Sequence, residues 1–256
     1  MMDKTYKQNK VCIITGGNRG IGEYITRVFV ENGFLVIIGA TKETSFLSEL
    51  GDRVKFQKAD VRIEKDHFEL INTALKWAGN IDVYINNAGL SEWCGVDNVS
   101  EAFWNKIIDT NLKGTFWGCK AAASVLKKGG SIINISSIAG KRGSSNNSVY
   151  CASKFGVNGI TQALAKELGP KGIRVNAVCP VYIKTEGVLD ALKDKSSPAS
   201  GKNIENYLKE FALINAALKR LPTGREVAEL CIFLSSDNAS AITGQCINVD
   251  CGVLPQ

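Results

Sequence analysis

Val11-Cys12-Ile13-Ile14-Thr15-Gly16-Gly17-Asn18-Arg19-Gly20-Ile21-Gly22 is a short apolar run ending in a glycine cluster, and a helical pattern continues from it through Asn32. The stretch reads as strand, turn and helix. Glycines let a backbone turn tightly and approach a ligand closely, while the helix N-terminus that follows offers free N–H groups and a positive dipole end to an anion such as a pyrophosphate. A plain tight turn would use the same residues, so position matters. Gly33 closes the helix and Leu35 to Ile38 forms a second buried strand, which completes a β-α-β unit within about thirty residues.

The pattern repeats outward from this unit. Val54 to Gln57, Val83 to Ile85, Ser131 to Ile135, Ile173 to Val178 and Cys246 to Val249 read as strands. Glu64 to Trp77, the long region Ser100 to Lys127, Tyr150 to Leu168 and Arg225 to Leu234 read as helices. Such alternation predicts an α/β fold of the doubly wound Rossmann type, a parallel seven-stranded sheet with helices on both faces. Between Pro180 and Pro222 the regularity lapses. Lys184 to Asn203 is polar and contains Ser196-Ser197-Pro198-Ala199-Ser200-Gly201, a flexible excursion that follows a strand end at the ligand edge of the sheet. Residues 186–222 therefore read as a substrate lid, with plain disorder as the competing reading.

At 256 residues, 45% of them hydrophobic and 22% charged, the chain suits one domain spanning 1–256 better than two small ones. The net charge of +6 is scattered rather than gathered into a basic arm, so nucleic acid is not expected as a partner. Met1 to Lys10 is polar, and no stretch is apolar enough to span a bilayer, so a cytoplasmic protein without membrane contact is expected. The eight cysteines form no C-x-x-C pair, which favours reduced thiols over disulfides or a metal. The single histidine, His67, lies in a polar helical stretch and is expected at the surface.

Tyr150-Cys151-Ala152-Ser153-Lys154 places a phenol and an ammonium one helical turn apart, facing one cleft. A cation there is expected to lower the tyrosine pKa and fit it for proton exchange. Ser137, just past the strand ending at Ile135, would bring a hydroxyl to the same substrate oxygen. Taken alone, the pentapeptide is as readily a solvated helix face.

Thr15-Gly-x-x-x-Gly20-Ile21-Gly22, Asp60-Val61, Asn86-Asn87-Ala88-Gly89, Asn111, Ser137, Tyr150-x-x-x-Lys154 and Pro180 to Thr185 occur in the order and spacing of the short-chain dehydrogenase/reductase family, which the chain resembles over nearly its whole length. The resemblance implies a catalytic set of Asn111, Ser137, Tyr150 and Lys154, with Asn111 holding a water that connects Lys154 to solvent. It implies cofactor binding at Gly16, Asn18, Arg19, Gly20, Ile21 and Gly22, where the glycines line the pyrophosphate turn. Asp60 would accept from the adenine amino group, Val61 would add a backbone contact, and Asn87, Ala88 and Gly89 would pass close to the ribose. Lys154 would also bind the nicotinamide ribose hydroxyls, and Pro180, Ile183 and Thr185 would contact the carboxamide and phosphate. No metal is implied.

At the end of the second strand, where an NAD-preferring enzyme carries an acid, this chain has Ala40, followed by Thr41 and Lys42. Room at Ala40 and positive charge from Lys42 and Arg19 predict a preference for NADP (NADPH), with NAD possible. Where the family usually follows its proline with glycine, Val181-Tyr182 stand here. Substrate contacts are expected from Ser91, Trp93, Ser144, Asn147 and Tyr182. The implied substrate is a small-molecule carbonyl or alcohol: a ketone or 3-oxoacyl compound, or a sugar or polyol. A dinucleotide-binding sensor without catalysis is the rival from another class, and the intact Ser137, Tyr150 and Lys154 set argues against it. Apolar residues on several faces of the long helices, Phe103, Trp104, Phe116 and Trp117 among them, together with the resemblance, predict a homotetramer.

Overall fold

A computed structural model describes residues 10–255, so all but Lys10 of the polar start lies outside the described residues. In chain order the elements are β1 (Val11–Thr15), α1 (Gly20–Glu31), β2 (Leu35–Ala40), β3 (Val54–Lys58), α2 (Glu64–Ala78), β4 (Val83–Asn86), α3 (Glu101–Ile108), α4 (Gly114–Ala123), β5 (Ser131–Ile135), α5 (Ser148–Leu168), β6 (Arg174–Pro180), α6 (Glu186–Leu192), α7 (Ile204–Asn215), α8 (Gly224–Ser235) and β7 (Cys246–Val249). The strands form one parallel sheet in the order β3-β2-β1-β4-β5-β6-β7. β1, β4, β5 and β6 are buried at every position, as unbroken apolar strands must be when helices cover both faces.

Each face has its own core. Ile25, Val28 and Phe29 of α1 and Val227, Ala228, Cys231 and Leu234 of α8 pack on one side. Leu70, Ile71 and Ala74 of α2, Cys119, Ala121 and Ala122 of α4, and Ala165 and Leu168 of α5 pack on the other. A fully buried Leu, Ile or Phe in such a layer contributes about 1.5–3 kcal/mol relative to an exposed one. Local chemistry sets the helix ends: Gly79 closes α2 in the left-handed region, and Thr223 with Glu226 forms a capping box that starts α8. The strand order reverses between β1 and β4, which opens a crevice at the carboxyl edge of the sheet.

Three expectations need correction. His67 is buried, with Nδ1 2.8 Å from the Tyr84 hydroxyl and Nε2 2.9 Å from the Val61 carbonyl. It shares the inward face of α2 with Leu70, Ile71 and Ala74, and two hydrogen bonds offset the burial of the ring. The region Ser100 to Lys127 is not one regular helix, because a π-helical turn at Asp109–Lys113 separates α3 from α4 and α4 ends at Ala123. The excursion after Lys184 is folded rather than irregular. Thr185 caps α6 by accepting from the Val188 N–H and Asn203 caps α7 by accepting from the Asn206 N–H, while Leu192, Ala199 and Leu208 form a small core of their own. Its lysines lie on the outer faces, while Ser197 is buried and donates to the Leu192 carbonyl at 2.7 Å.

Candidate active site

Tyr150 and Lys154 sit in the first two turns of α5, which a buried chain of amides ties to the sheet. The Asn86 Nδ2 donates to Asn134 Oδ1, and Asn134 Nδ2 donates to the Thr161 hydroxyl, each at 2.9 Å. Links from β4 through β5 to α5 thus fix the helix laterally. The loop after β5 lies directly on α5, since a Cβ on Gly140 would fall 2.6 Å from the Lys154 carbonyl oxygen. That contact sets Ser137 against the helix. The Ser137 hydroxyl accepts from the Ala139 N–H at 3.1 Å and donates to the Pro180 carbonyl at 3.4 Å.

The Lys154 ammonium is buried, donates to the Ile135 carbonyl at 2.8 Å, and lies 5.8 Å from the centre of the Tyr150 ring. Burial brings its pKa down to about 8. Burial also pushes the Tyr150 phenol up to about 12, with the Ser137 hydroxyl opposing that rise. The expectation that Lys154 lowers the tyrosine pKa is therefore corrected: withdrawal of the phenol from water dominates, and the ammonium, over the ring rather than bonded to the hydroxyl, is not among the groups that shift it.

Asn111 occupies the π-helical turn and is fully buried. Its Oδ1 accepts from the Leu90 N–H and its Nδ2 donates to the Leu90 carbonyl, both at 2.9 Å, with a further bond to the Ser153 hydroxyl at 3.2 Å. The side chain thus joins the loop after β4 to α5. Gly89 lies between these groups, for a Cβ there would stand 3.2 Å from Asn111 Oδ1 and 3.7 Å from Lys154 Nζ.

On the other side of the crevice, Gly16 and Gly20 adopt φ of 62° and 57°, and a Cβ on Gly22 would fall 2.1 Å from the Gly16 carbonyl oxygen. No side chain caps the N-terminus of α1, so Gly20, Ile21 and Gly22 begin a helix end whose N–H groups have no side-chain acceptor. An anionic pyrophosphate fits this donor set. Asn87 braces the turn: its Nδ2 donates to the carbonyls of Thr15 at 2.9 Å and Gly16 at 3.0 Å. The backbone N–H groups of Asn87 and Ala88 donate to the Thr15 hydroxyl. Asn18 donates to the Lys42 carbonyl at 2.8 Å, which ties the turn to the end of β2. Thr185 stands across the turn, its side chain 3.7 Å from where a Gly20 Cβ would be.

Ala40 is buried at the end of β2, whereas Arg19, Thr41 and Lys42 are exposed, and neither Arg19 nor Lys42 has an ion pair among the described residues. The Asp60 carboxylate is held by Arg62, whose Nε donates to both oxygens at 3.0 Å, and this pairing keeps its pKa below the usual value. The Val61 carbonyl is engaged by His67. Pro180 ends β6, and Ile183 packs into the core beside α8 while its carbonyl accepts from the Thr185 N–H at 2.7 Å.

Ser137 and Tyr150 open into a cavity of about 360 Å³, and all five residues expected to contact substrate, Ser91, Trp93, Ser144, Asn147 and Tyr182, line it. Sequence reasoning missed much of the remaining wall. Val188 and Leu192 come from α6, Tyr207 and Phe211 from α7, and Arg142 from the loop before α5. The ring of Tyr182 packs edge-on against Phe211 at 5.0 Å, and its hydroxyl lies 3.4 Å from that of Tyr207. The i, i+4 spacing of Tyr207 and Phe211 was the available signal. The departure at Val181-Tyr182 puts both residues on this wall.

Residues 16–254 match the family model described as enoyl-(acyl carrier protein) reductase. The chain is 36% identical to 3-oxoacyl-(acyl-carrier-protein) reductase FabG of Chlamydia muridarum over 254 residues, covering 96% of this chain and 97% of the relative. Among solved structures, a short-chain dehydrogenase/reductase of Brucella melitensis termed glucose/ribitol dehydrogenase aligns with a TM-score of 0.88 at 31% identity, over 97% of this chain and 98% of that one. A variant of actinorhodin polyketide ketoreductase with NADPH also aligns at a TM-score of 0.88, with 30% identity, over 96% of this chain and 97% of that one.

Proposed function

The chain belongs to the short-chain dehydrogenase/reductase family of NAD(P)-dependent oxidoreductases, and from that premise we propose that it moves a hydride between a bound nicotinamide dinucleotide, NADPH in preference to NADH, and the carbonyl or secondary alcohol carbon of a small molecule. The observation that carries this reading is the opening of the Ser137 and Tyr150 hydroxyls into one cavity, with the Lys154 ammonium buried behind them.

In the direction of reduction, Ser137 donates a hydrogen bond to the substrate oxygen and Tyr150 gives it a proton. A phenol held near pKa 12 carries that proton at neutral pH, so it is present to be given. Asn111 serves the return of the proton by holding a water that connects Lys154 to solvent; its carboxamide is bonded to Leu90 and Ser153, and its main-chain carbonyl accepts from the Thr115 hydroxyl at 2.8 Å. The uncapped start of α1, with Gly16, Asn18, Gly20, Ile21 and Gly22, holds the pyrophosphate, and Arg19, Thr41 and Lys42 receive a 2′-phosphate for which Ala40 leaves room. Asp60, Val61, Asn87 to Gly89, Pro180, Ile183 and Thr185 complete the dinucleotide site, and α6 with α7 covers the substrate.

A ketone or 3-oxoacyl substrate suits the apolar wall formed by Trp93, Ile138, Val181, Leu192 and Phe211. A sugar or polyol dehydrogenase is the second reading, favoured by the likeness to the Brucella melitensis protein and by Ser91, Ser144, Ser145 and Asn147 on the same cavity. No described helix is long and apolar enough to cross a membrane, and the cytoplasm is the proposed compartment. Trp104, Phe116 and Phe155 are exposed on α3, α4 and α5, and this apolar surface, which a homotetramer would cover, supports that assembly. Turnover of aromatic ketones, acetoacetyl thioesters and ketoses, each with NADPH and NADH, tests the reading. Activity on none of them would overturn it.

A further inference from the structure

The cavity over Ser137 and Tyr150 has one charged side chain on its wall, Arg142, and no carboxylate. That guanidinium is unusual within the molecule. Arg27, Arg62, Arg220 and Arg225 pair with carboxylates, and Arg53 and Arg174 donate to backbone carbonyls. Among the described arginines, only Arg19 and Arg142 have no such partner. Arg19 lies at the glycine turn, where an anion fits, and Arg142 lies on the wall of the second concave site.

The backbone around Arg142 is fixed. Its N–H donates to the Ile138 carbonyl at 3.1 Å, and its carbonyl faces the Cys151 thiol. The loop that carries it is tied to the segment between α6 and α7 by Asn146, whose Nδ2 donates to the Ser196 carbonyl at 3.0 Å. Arg142, Tyr150 and Tyr182 line the same cavity, so cation and proton donor share one wall. With no carboxylate on the wall, an unpaired guanidinium among serine, tyrosine and apolar side chains describes a site completed by an anionic ligand.

We propose that the substrate is an oxo acid or hydroxy acid with an apolar body, whose carboxylate is bound by Arg142 while its reacting oxygen lies at Ser137 and Tyr150. The assignment rests on the oxidoreductase reading and narrows its substrate class. A planar guanidinium donates two parallel hydrogen bonds to a carboxylate, and in a pocket with no competing acid the pair discriminates against a neutral analogue. Arg142 is thus a specificity-determining residue rather than a participant in proton transfer.

The test uses benzoylpropionate and its methyl ester, one ketone with and without the charge. Binding to the full chain in the presence of NADP is measured by calorimetry, and turnover is measured separately with NADPH. The wild type should bind the carboxylate at least about tenfold more tightly than the ester. Arg142→Gln should erase that difference while leaving ester binding within about twofold, and Arg142→Lys should restore part of it. Turnover should follow, the loss for the acid falling on KM rather than on kcat. Equal binding of acid and ester by the wild type, a preference that survives Arg142→Gln, or binding of neither compound would overturn the proposal. An Arg142-dependent binding difference without reduction of either compound would instead count against the oxidoreductase reading alone.

Discussion

The carboxamide of Asn111 grips Leu90 at both backbone groups, its oxygen accepting from the Leu90 N–H and its nitrogen donating to the Leu90 carbonyl, each at 2.9 Å. Asn111→Leu removes both bonds and leaves two backbone groups without their partner, at about 1–3 kcal/mol for each one that stays buried. The variant should show a lower denaturant midpoint and reduced kcat, because the loop carrying Gly89 and α5 lose their common tie. A midpoint equal to that of the wild type would show that water replaces the amide.

Tyr150→Phe deletes the hydroxyl and little else. Turnover should fall by about 10²–10⁴-fold, the usual contribution of a positioned proton donor, while dinucleotide binding measured by fluorescence quenching stays close to wild type. Retention of most activity would place proton donation elsewhere in the cavity.

Lys154 gives the protein a pH signature. Its pKa is lowered from 10.5 to about 8 by burial, so the unfolded chain binds this proton more tightly than the folded one. The resulting penalty on the folded state is complete below about pH 8, fades as pH rises toward 10.5, and is absent above it. Lys154→Met should therefore be more stable than wild type near neutral pH, by about 1–2 kcal/mol after the lost bond to Ile135 is counted. That advantage should shrink in alkaline buffer. Urea titrations of the cofactor-free protein near pH 8 and near 10.5 test the sign, and a constant difference would mean that folded and unfolded chains hold the Lys154 proton equally, with no lowering by burial.

Ala40→Asp should shift the ratio of kcat/KM for NADPH and NADH toward NADH by at least about tenfold, since a carboxylate repels a 2′-phosphate and accepts from ribose hydroxyls. Arg19→Ala and Lys42→Ala should each weaken NADPH selectively. If the unaltered protein already favours NADH, exposed Arg19 and Lys42 are solvated charges and Ala40 is only a small residue.

Strands such as β1 and β5 were legible because their apolar runs are short, unbroken and followed by glycine or serine, which leaves few alternatives to a covered parallel strand. The convergence of Ser137 and Tyr150 on one cavity with Lys154 beside them, and the course of the glycine turn, were legible through spacing. Sequence does not carry desolvation, and for that reason the adjacency of Tyr150 and Lys154 suggested a lowered tyrosine pKa where burial raises it. His67 was misjudged because neighbouring charges on the outer face of α2 obscured its register with Leu70, Ile71 and Ala74. Tyr207 and Phe211 were hidden in the same way, by the polar outer faces of a segment that folds around its own small core.

Asn87 spends its amide hydrogens on the carbonyls of Thr15 and Gly16. The glycine turn is consequently held in its open shape by the protein alone, before any anion arrives. A rigid cradle of this kind loses little conformational freedom when filled, so capture of the dinucleotide should be a single fast phase whose rate rises linearly with concentration, without a slower folding step behind it. In Asn87→Ala the same cradle must be assembled during binding, and the rate should level off as concentration rises.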